Sequence, residues 1–159
     1  MSYFVTEGLV LRAISLIKPT IRSILGSDLV ERRRNIHIVV IEPGGQKFEQ
    51  TIADDPKEEW KYPYDEIARR KARLCQESGK PSGHVLYRTP WLFKEGDARY
   101  AGGVVEDGLV VAISGLQSHF DEMLSWMIFN AIAGLCMDKV AQMQKDPDAP
   151  HFLSEQAAK

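Results

Sequence analysis

The stretch Ala101–Leu124 carries the clearest succession of apolar runs and turn residues in this chain. Val104 and Val105 lead into Glu106-Asp107-Gly108, and an Asp-Gly pair between apolar runs is a strong signal for a β-hairpin. The second run, Leu109–Ile113, is unbroken and is typical of a strand covered on both faces, although its periodicity alone does not exclude a helix. The stretch therefore predicts two paired strands, around which we expect the rest of the chain to be organised.

Small residues mark both outer ends of the predicted hairpin. Gly102-Gly103 and Ser114-Gly115 lie where the backbone must bend or be approached closely by another segment. After the second pair, Ser118 is predicted to cap a helix. Asp121 and Glu122 fall in the first turn of that helix, where carboxylates face the positive end of the helix dipole.

The remaining apolar pattern predicts two more helices and three more strands. Thr6 is a plausible cap for the first helix, and Pro19 should kink or restart that helix because proline lacks a backbone donor. A second helix is predicted to begin at Pro63 and to end at Gly79. The further predicted strands are Ile36–Ile41, Gln46–Ile52 and His84–Tyr87.

The last predicted helix runs from about Ser118 to Gln142 and is apolar over most of its circumference. Its apolar residues include Phe120, Leu124, Trp126, Met127, Phe129, Ile132, Leu135, Cys136 and Met137. A helix of this kind is buried on more than one face. In a chain of 159 residues the second covering surface is expected to be another subunit, so we predict an obligate homo-oligomer. The alternative is a monomer in which the N-terminal helix covers these residues.

Length and composition bound the fold and the partners. A chain of 159 residues that is 44% hydrophobic is long enough for one domain with a sizeable core. We place this domain at residues 1–143 and expect residues 144–159 to form a mobile polar tail, because prolines interrupt the helix there. The net charge of -2 gives no basic excess that would favour nucleic acid as a partner. No segment approaches the ~20 apolar residues of a membrane span, so the expectation is a soluble cytoplasmic protein.

Several residues are candidates for a site, and each has a structural alternative. Lys71 lies on or beside the apolar stripe of the second helix, either as a lysine whose methylenes cover apolar surface or as a cation near a pocket. Arg32-Arg33-Arg34 is interpreted as a solvated link rather than a phosphate site. His37 is expected to be a hydrogen-bonded core or edge residue rather than a metal ligand. Trp91-Leu92-Phe93 either plugs the core or lines a ligand cavity.

The turn that follows the hairpin offers three kinds of chemistry. Ser114 beside His119 and Asp121 could form a hydrolase centre, but one glycine of the nucleophile-elbow motif is missing. Metal binding by His119, Asp121 and Glu122 is disfavoured because their offsets do not share a helix face. We favour binding of an anion, such as a carboxylate, by the exposed amides of the Ser114–Ser118 turn.

Five segments of the sequence occur in the order and spacing of a known family. They are Ala68-Arg69-Arg70-Lys71-Ala72, Gly102-Gly103-Val104, Gly108, Val111-Ala112-Ile113-Ser114-Gly115-Leu116 and Asp121-Glu122. The first resembles the A-x-x-K-A or R-K helix of the haem-degrading HbpS-like proteins, and the others resemble the G-G-x-P, V-S-G and D-E series of that family. The family includes GlcG and the C-terminal domain of PduO. The resemblance covers roughly residues 36–140.

This resemblance implies a fold, an assembly and a set of residues. The implied fold is an α+β, profilin-like α/β/α sandwich, in which helices flank a central antiparallel sheet of about five strands. Homo-oligomers built from dimers are implied as well, and several relatives bind haem. The positions that carry over are Lys71, Gly102, Gly103, Ser114, Gly115 and Asp121. The N-terminal helix holds no histidine, so an axial haem ligand would have to be His84 or His119.

The sequence thus favours a small-ligand-binding homo-oligomer of the HbpS-like type, without firm catalytic activity. Its ligand would be haem or another carboxylated small molecule. The expected ligand-binding residues are Lys71, Gly102, Gly103, Ser114, Gly115, His119 and Asp121. The alternatives are an interaction scaffold with no ligand, and a small hydrolase or isomerase that uses Ser114, His119 or Asp121.

Overall fold

A four-stranded antiparallel sheet lies at the centre of the computed structural model, which describes residues 2–153. The strands are β1 (Asn35–Ile41), β2 (Lys47–Ala53), β3 (Gly103–Glu106) and β4 (Leu109–Ser114), in the spatial order β2-β1-β4-β3. The helices are α1 (Glu7–Ile24), α2 (Tyr64–Ser78), α3 (Ser82–Arg88) and α4 (Ser118–Lys145). The α+β class is confirmed. Within residues 2–153 the sheet has four strands, so the prediction of about five is wrong by one.

Helices cover both faces of the sheet because the buried strand residues alternate between the two faces. Ile36, Ile38 and Val40 of β1 belong to a core shared with α1 and α4. Val39 and Ile41 point the other way, into a smaller core shared with α2. All seven residues of β1 are buried, as expected for a central strand covered on both sides. The predicted α/β/α layering is therefore confirmed.

The predicted hairpin forms with the expected turn. Glu106 pairs with Leu109, which leaves Asp107 and Gly108 as a two-residue loop. Both residues have positive φ, 49° for Asp107 and 82° for Gly108. This is the type I′ geometry whose twist matches that of the flanking strands. Because β4 also pairs with β1, the hairpin joins the rest of the sheet through its longer strand.

The N-terminal helix begins where predicted but is not broken. Thr6 Oγ1 accepts a hydrogen bond from the Leu9 amide at 3.3 Å, which confirms the cap. The helix continues through Pro19 to Ile24, so the expectation that it restarts there is wrong. The ring of Pro19 lies on the exposed side of the helix. Ile21, one half-turn later, is fully buried, and this packing favours continuation of the helix past the missing donor.

The predicted third strand, His84–Tyr87, is part of helix α3 instead. Ser82 and Val85 are buried, whereas Tyr87 is exposed, and the three-residue spacing of the inward side chains is helical. The hydroxyl of Ser82 accepts a hydrogen bond from the Gly103 amide at 2.9 Å. The prediction of a strand at His84–Tyr87 thus did not include this buried serine. Nearby, Trp91 is 75% exposed in a short 3-10 turn and does not plug the core.

The final helix is longer than predicted and begins differently. It extends to Lys145 rather than Gln142, past the predicted domain end at residue 143. Gln117 is the N-cap and Ser118 is the first helical residue, so the prediction that Ser118 caps the helix is wrong. By length and mean hydropathy α4 could cross a membrane, and the core helix of a folded domain has the same properties. Residues 154–159 of the predicted tail lie outside the described residues.

Replacing Gly108 with alanine is expected to destabilise the protein by about 1–2 kcal/mol, because alanine pays a steric cost in the left-handed region. The added Cβ would lie 3.4 Å from Pro43 Cβ, so backbone strain rather than a collision causes the loss. Urea unfolding followed by circular dichroism measures the change. Asp107→Gly is the control, since glycine relieves the positive φ there and should alter stability by less than about 1 kcal/mol. If Gly108→Ala leaves the free energy of unfolding unchanged, the assigned turn is contradicted.

Candidate functional site

A cavity of about 330 Å³ opens between the start of α2, the end of β4 and the start of α4. We call it the α2–α4 cavity. Four of the predicted site residues line it: Lys71, Ser114, Gly115 and Asp121. The segment that joins β4 to α4 thus contributes to a concave surface, as the sequence indicated.

The floor of the α2–α4 cavity holds a buried ion pair between two helices. Lys71 of α2 and Asp121 of α4 are 1% and 2% exposed, and Lys71 Nζ lies 3.2 Å from Asp121 Oδ2. Lys71 Nζ also donates to the Ile113 carbonyl at 2.9 Å, and the Leu116 amide donates to Asp121 Oδ1 at 3.0 Å. Of the two interpretations of Lys71, the buried cation beside a pocket is therefore the one that the structure supports.

Burial controls the ionisation of this pair. Loss of hydration lowers the pKa of Lys71, and the negative charge of Asp121 opposes that change. Loss of hydration likewise raises the pKa of Asp121 to about 6, and the charge of Lys71 opposes it. Burial disfavours the charged form of each residue, and the opposite charge of its partner stabilises that form.

The paired glycines make room for the ion pair rather than lining the cavity. Gly102 has a φ of 127°, and a Cβ there would lie 2.6 Å from Lys71 Nζ. A Cβ on Gly103 would lie 2.7 Å from Cys75 Sγ. The Gly102 carbonyl also accepts a hydrogen bond from Ser125 Oγ at 2.6 Å. Gly102 and Gly103 therefore let α2 and α4 approach the end of β3 closely, which is a structural role.

The hydrolase arrangement does not form around Ser114. Ser114 is buried in β4, opposite His37. His119 lies on the exposed side of α4, where its ring contacts Phe120, and it does not line the cavity. In the described part of the chain no hydrogen bond joins Ser114 to His119. His119 is therefore not placed to act as a general base for Ser114.

His37 and His84 are candidate ligands for a metal or for haem iron. His37 is buried, with Nδ1 2.7 Å from Thr51 Oγ1 and Nε2 3.2 Å from Glu49 Oε1, which is the hydrogen-bonded state that was expected. Burial lowers its pKa, so the neutral ring is favoured. His84 is half-buried on α3 and does not line the cavity. Within residues 2–153 no three His, Cys, Asp or Glu side chains are grouped as metal ligands.

Sequence reasoning missed the aromatic and cationic part of the cavity wall. Tyr62, Tyr64 and Tyr100 line it, together with Arg33 and Gln117. These residues come from four separate segments and share no periodicity, so no local pattern could group them. Arg33 was interpreted as part of a solvated link. Its neighbour Arg32 is 80% exposed and fits that interpretation, whereas Arg33 itself faces the cavity.

The start of α4 supplies backbone donors beside Arg33. The amides of Phe120 and Asp121 both donate to the Gln117 carbonyl, and α4 has no side-chain N-cap. Among the described residues, the amides of Ser118 and His119 have no protein acceptor. Free amides at a helix start favour an anion. Because the charge of Asp121 is already neutralised by Lys71, it opposes such an anion weakly.

Comparison with known proteins places the fold. No family model matches the sequence, and no curated protein matches it. The structure is similar to that of ORFY from Klebsiella pneumoniae, a DUF336 protein, with a TM-score of 0.57, 12% identity, and coverage of 81% of this chain and 90% of that chain. It is similar to an HbpS double mutant from Streptomyces reticuli, with a TM-score of 0.58, 18% identity, and coverage of 85% and 89%.

A third solved structure with this fold is the PduOC–haem complex. Its TM-score is 0.50 at 15% identity, with coverage of 78% of this chain and 89% of that chain. The protein therefore has the HbpS-like fold, and the resemblance indicated by the ordered glycine, lysine and aspartate motifs is confirmed in three dimensions.

Removing both members of the buried ion pair is expected to cost less than the sum of the losses caused by removing each one alone. Lys71→Met or Asp121→Asn alone leaves an uncompensated buried charge, and each should destabilise the protein by about 3–5 kcal/mol. Asparagine keeps an acceptor for the Leu116 amide. The double variant should lose clearly less than the sum of the two single losses. Urea unfolding at pH 7 of all four proteins gives the coupling energy, and additive losses within about 0.5 kcal/mol would show that the two side chains do not interact.

Proposed function

We propose that the protein binds a small planar molecule carrying a carboxylate in the α2–α4 cavity, and that it works as a homo-oligomer without catalysis of its own. The observation that carries the proposal is the composition of the cavity wall. Three tyrosines line the cavity together with Arg33 and with Ser118 at the uncapped start of α4. Aromatic walls with a few convergent polar groups are typical of ligand pockets.

The charges around the cavity favour an acidic group on the ligand. Arg33 has a contact with Glu31 at 3.6 Å, which is long for an ion pair and leaves the guanidinium able to donate elsewhere. The other buried charges, Lys71 and Asp121, neutralise each other. The cavity therefore has a net positive character, supplied by Arg33 and by the dipole of α4.

The PduOC–haem complex has a similar fold, so haem is one candidate ligand. The residues of the cavity wall can be compared with those that hold haem iron. Haem iron in proteins is held by His, Cys, Met or Tyr. In the described part of the chain no His, Cys or Met lines the α2–α4 cavity, and the tyrosines are the one ligand type present. Burial raises the pKa of Tyr64, which disfavours the phenolate. Iron ligation in this cavity would therefore have to come from a tyrosine, and we expect a porphyrin to be held here chiefly through its carboxylates.

Binding of biphenyl-4-carboxylate, measured by isothermal titration calorimetry, is expected to weaken about tenfold in Arg33→Met, because a charge-assisted hydrogen bond is lost. The methyl ester of the same probe, which lacks the negative charge, should bind to the natural protein no more tightly than the acid binds to Arg33→Met. Arg32→Met is the matched control, since it removes the same charge from an exposed side chain, and it should retain the affinity within about twofold.

Haemin and protoporphyrin IX form a second pair of probes in the same titration. Equal affinity for the two is expected, since the carboxylates that both molecules share make the proposed contacts with the protein. Haemin binding that is much tighter, with a Soret shift, would replace the carboxylate proposal with iron ligation. If none of these probes binds, or if both arginine variants bind like the natural protein, the scaffold alternative is favoured and the ligand proposal fails.

The assembly part of the proposal rests on apolar side chains that the single chain leaves in water. Met137 of α4 is 72% exposed, and Met123 and Val140 of the same helix are also exposed. Leu11 and Leu16 are exposed on α1, which packs against α4. Apolar residues concentrated on one layer favour an interface between copies.

Met137→Glu is expected to lower the molar mass measured by size-exclusion chromatography with light scattering, because a charge in an apolar interface is costly. Tyr87→Glu is the control: Tyr87 is even more exposed but lies on α3, away from the α1 and α4 layer. It should leave the mass unchanged. A monomeric natural protein at micromolar concentration would contradict the assembly.

A further inference from the structure

A second cavity lies next to the α2–α4 cavity and shares a wall with it. The second cavity has a volume of about 590 Å³, and we call it the α2–α3 cavity because Leu86 of α3 forms one side. Ile67 and Tyr100 line both cavities. The two cavities are therefore adjacent, with Ile67 and Tyr100 at their common border.

The α2–α3 cavity is lined by two acidic and two basic side chains, and one of the basic side chains has no acidic partner among the described residues. Arg70 pairs with Glu66 at 2.5 Å and donates to the Gly96 carbonyl at 2.7 Å. Asp97 accepts a hydrogen bond from the Lys94 amide at 2.7 Å and lies 3.7 Å from Arg73, which is outside this lining. Arg99 is exposed and makes no hydrogen bond or ion pair within residues 2–153. Once the internal pairs are set aside, Arg99 gives this cavity a positive end.

The shared wall is suited to the middle of a ligand. Ile67 is apolar, and Tyr100 offers a ring that is more than half exposed, so a planar apolar segment can lie against both. Arg33 then stands in the first cavity and Arg99 in the second, on either side of this wall. Arginine matches a carboxylate in a fork-like geometry, and two such groups would select a ligand by the spacing of its acids.

We propose that the ligand is an elongated, planar molecule with an acidic group at each end, which lies across Tyr100 with one acid at Arg33 and the other at Arg99. This inference rests on the proposed function, and it adds the class of ligand and a second binding residue. A ligand with one acid would occupy the α2–α4 cavity alone.

Calorimetric titration with paired probes tests the inference. The one-acid probes are benzoate and biphenyl-4-carboxylate, and the two-acid probes are terephthalate and biphenyl-4,4′-dicarboxylate. At least one two-acid probe should bind the natural protein about tenfold more tightly than its one-acid partner, since it gains a second charge-assisted contact. Arg99→Met should abolish that ratio and keep the one-acid affinity within about twofold. Arg33→Met should weaken both kinds of probe.

The outcomes separate this inference from the proposed function. If one-acid probes bind through Arg33 but no two-acid probe binds more tightly, the two-ended ligand is overturned and the proposed function stands. If Arg99→Met weakens both kinds of probe equally, Arg99 acts on the shape of the cavity and the inference is also overturned. If no probe binds the natural protein, both fail. Arg88→Met, which removes a charge from the exposed end of α3, should behave as the natural protein throughout.

Discussion

The ion pair between Lys71 and Asp121 is the constraint on which the rest of this structure depends. Two charges taken out of water are tolerated only when their geometry is good and when further hydrogen bonds satisfy their remaining donors and acceptors. Here the Ile113 carbonyl and the Leu116 amide complete the set. The pair joins two helices that lie on opposite faces of the sheet. It therefore passes around the end of β4 and holds both helices in position against the sheet. Side-chain-free positions at Gly102 and Gly103 are needed for that approach.

The same interaction explains why a cavity at this place can attract an anion. A lone aspartate in the first turn of α4 would occupy the positive end of the helix dipole and repel another acid. Neutralised by Lys71, Asp121 instead accepts a hydrogen bond from the Leu116 amide, and the amide of Ser118, which lines the cavity, stays without a protein acceptor among the described residues. The structural pair and the proposed ligand contacts thus use different donors of one turn. Rigid support of this kind keeps polar groups in position without occupying them.

Much of the fold could be predicted because its signals are local. The Asp-Gly turn, the cap at Thr6 and the stop at Gly79 each depend on a few neighbouring residues. The error at α3 has the opposite cause, since a buried serine bonded to the distant Gly103 amide determined that element. The candidate site was predicted only in part, because some of its residues lie in local motifs and others do not. Motif residues such as Lys71 were found, whereas Tyr62, Tyr100 and Arg33 meet only in the folded chain.

Cys75 shows what close packing at Gly103 does to chemistry. Its sulfur lies where a side chain on Gly103 would be, and burial raises the pKa of the thiol to about 12. Since the thiolate is the reactive form, this cysteine is silent toward alkylating reagents while α2 stays on the sheet. The rate at which Cys75 is alkylated therefore measures how often α2 separates from the sheet. Cys136, which is partly exposed on α4, supplies the reference rate.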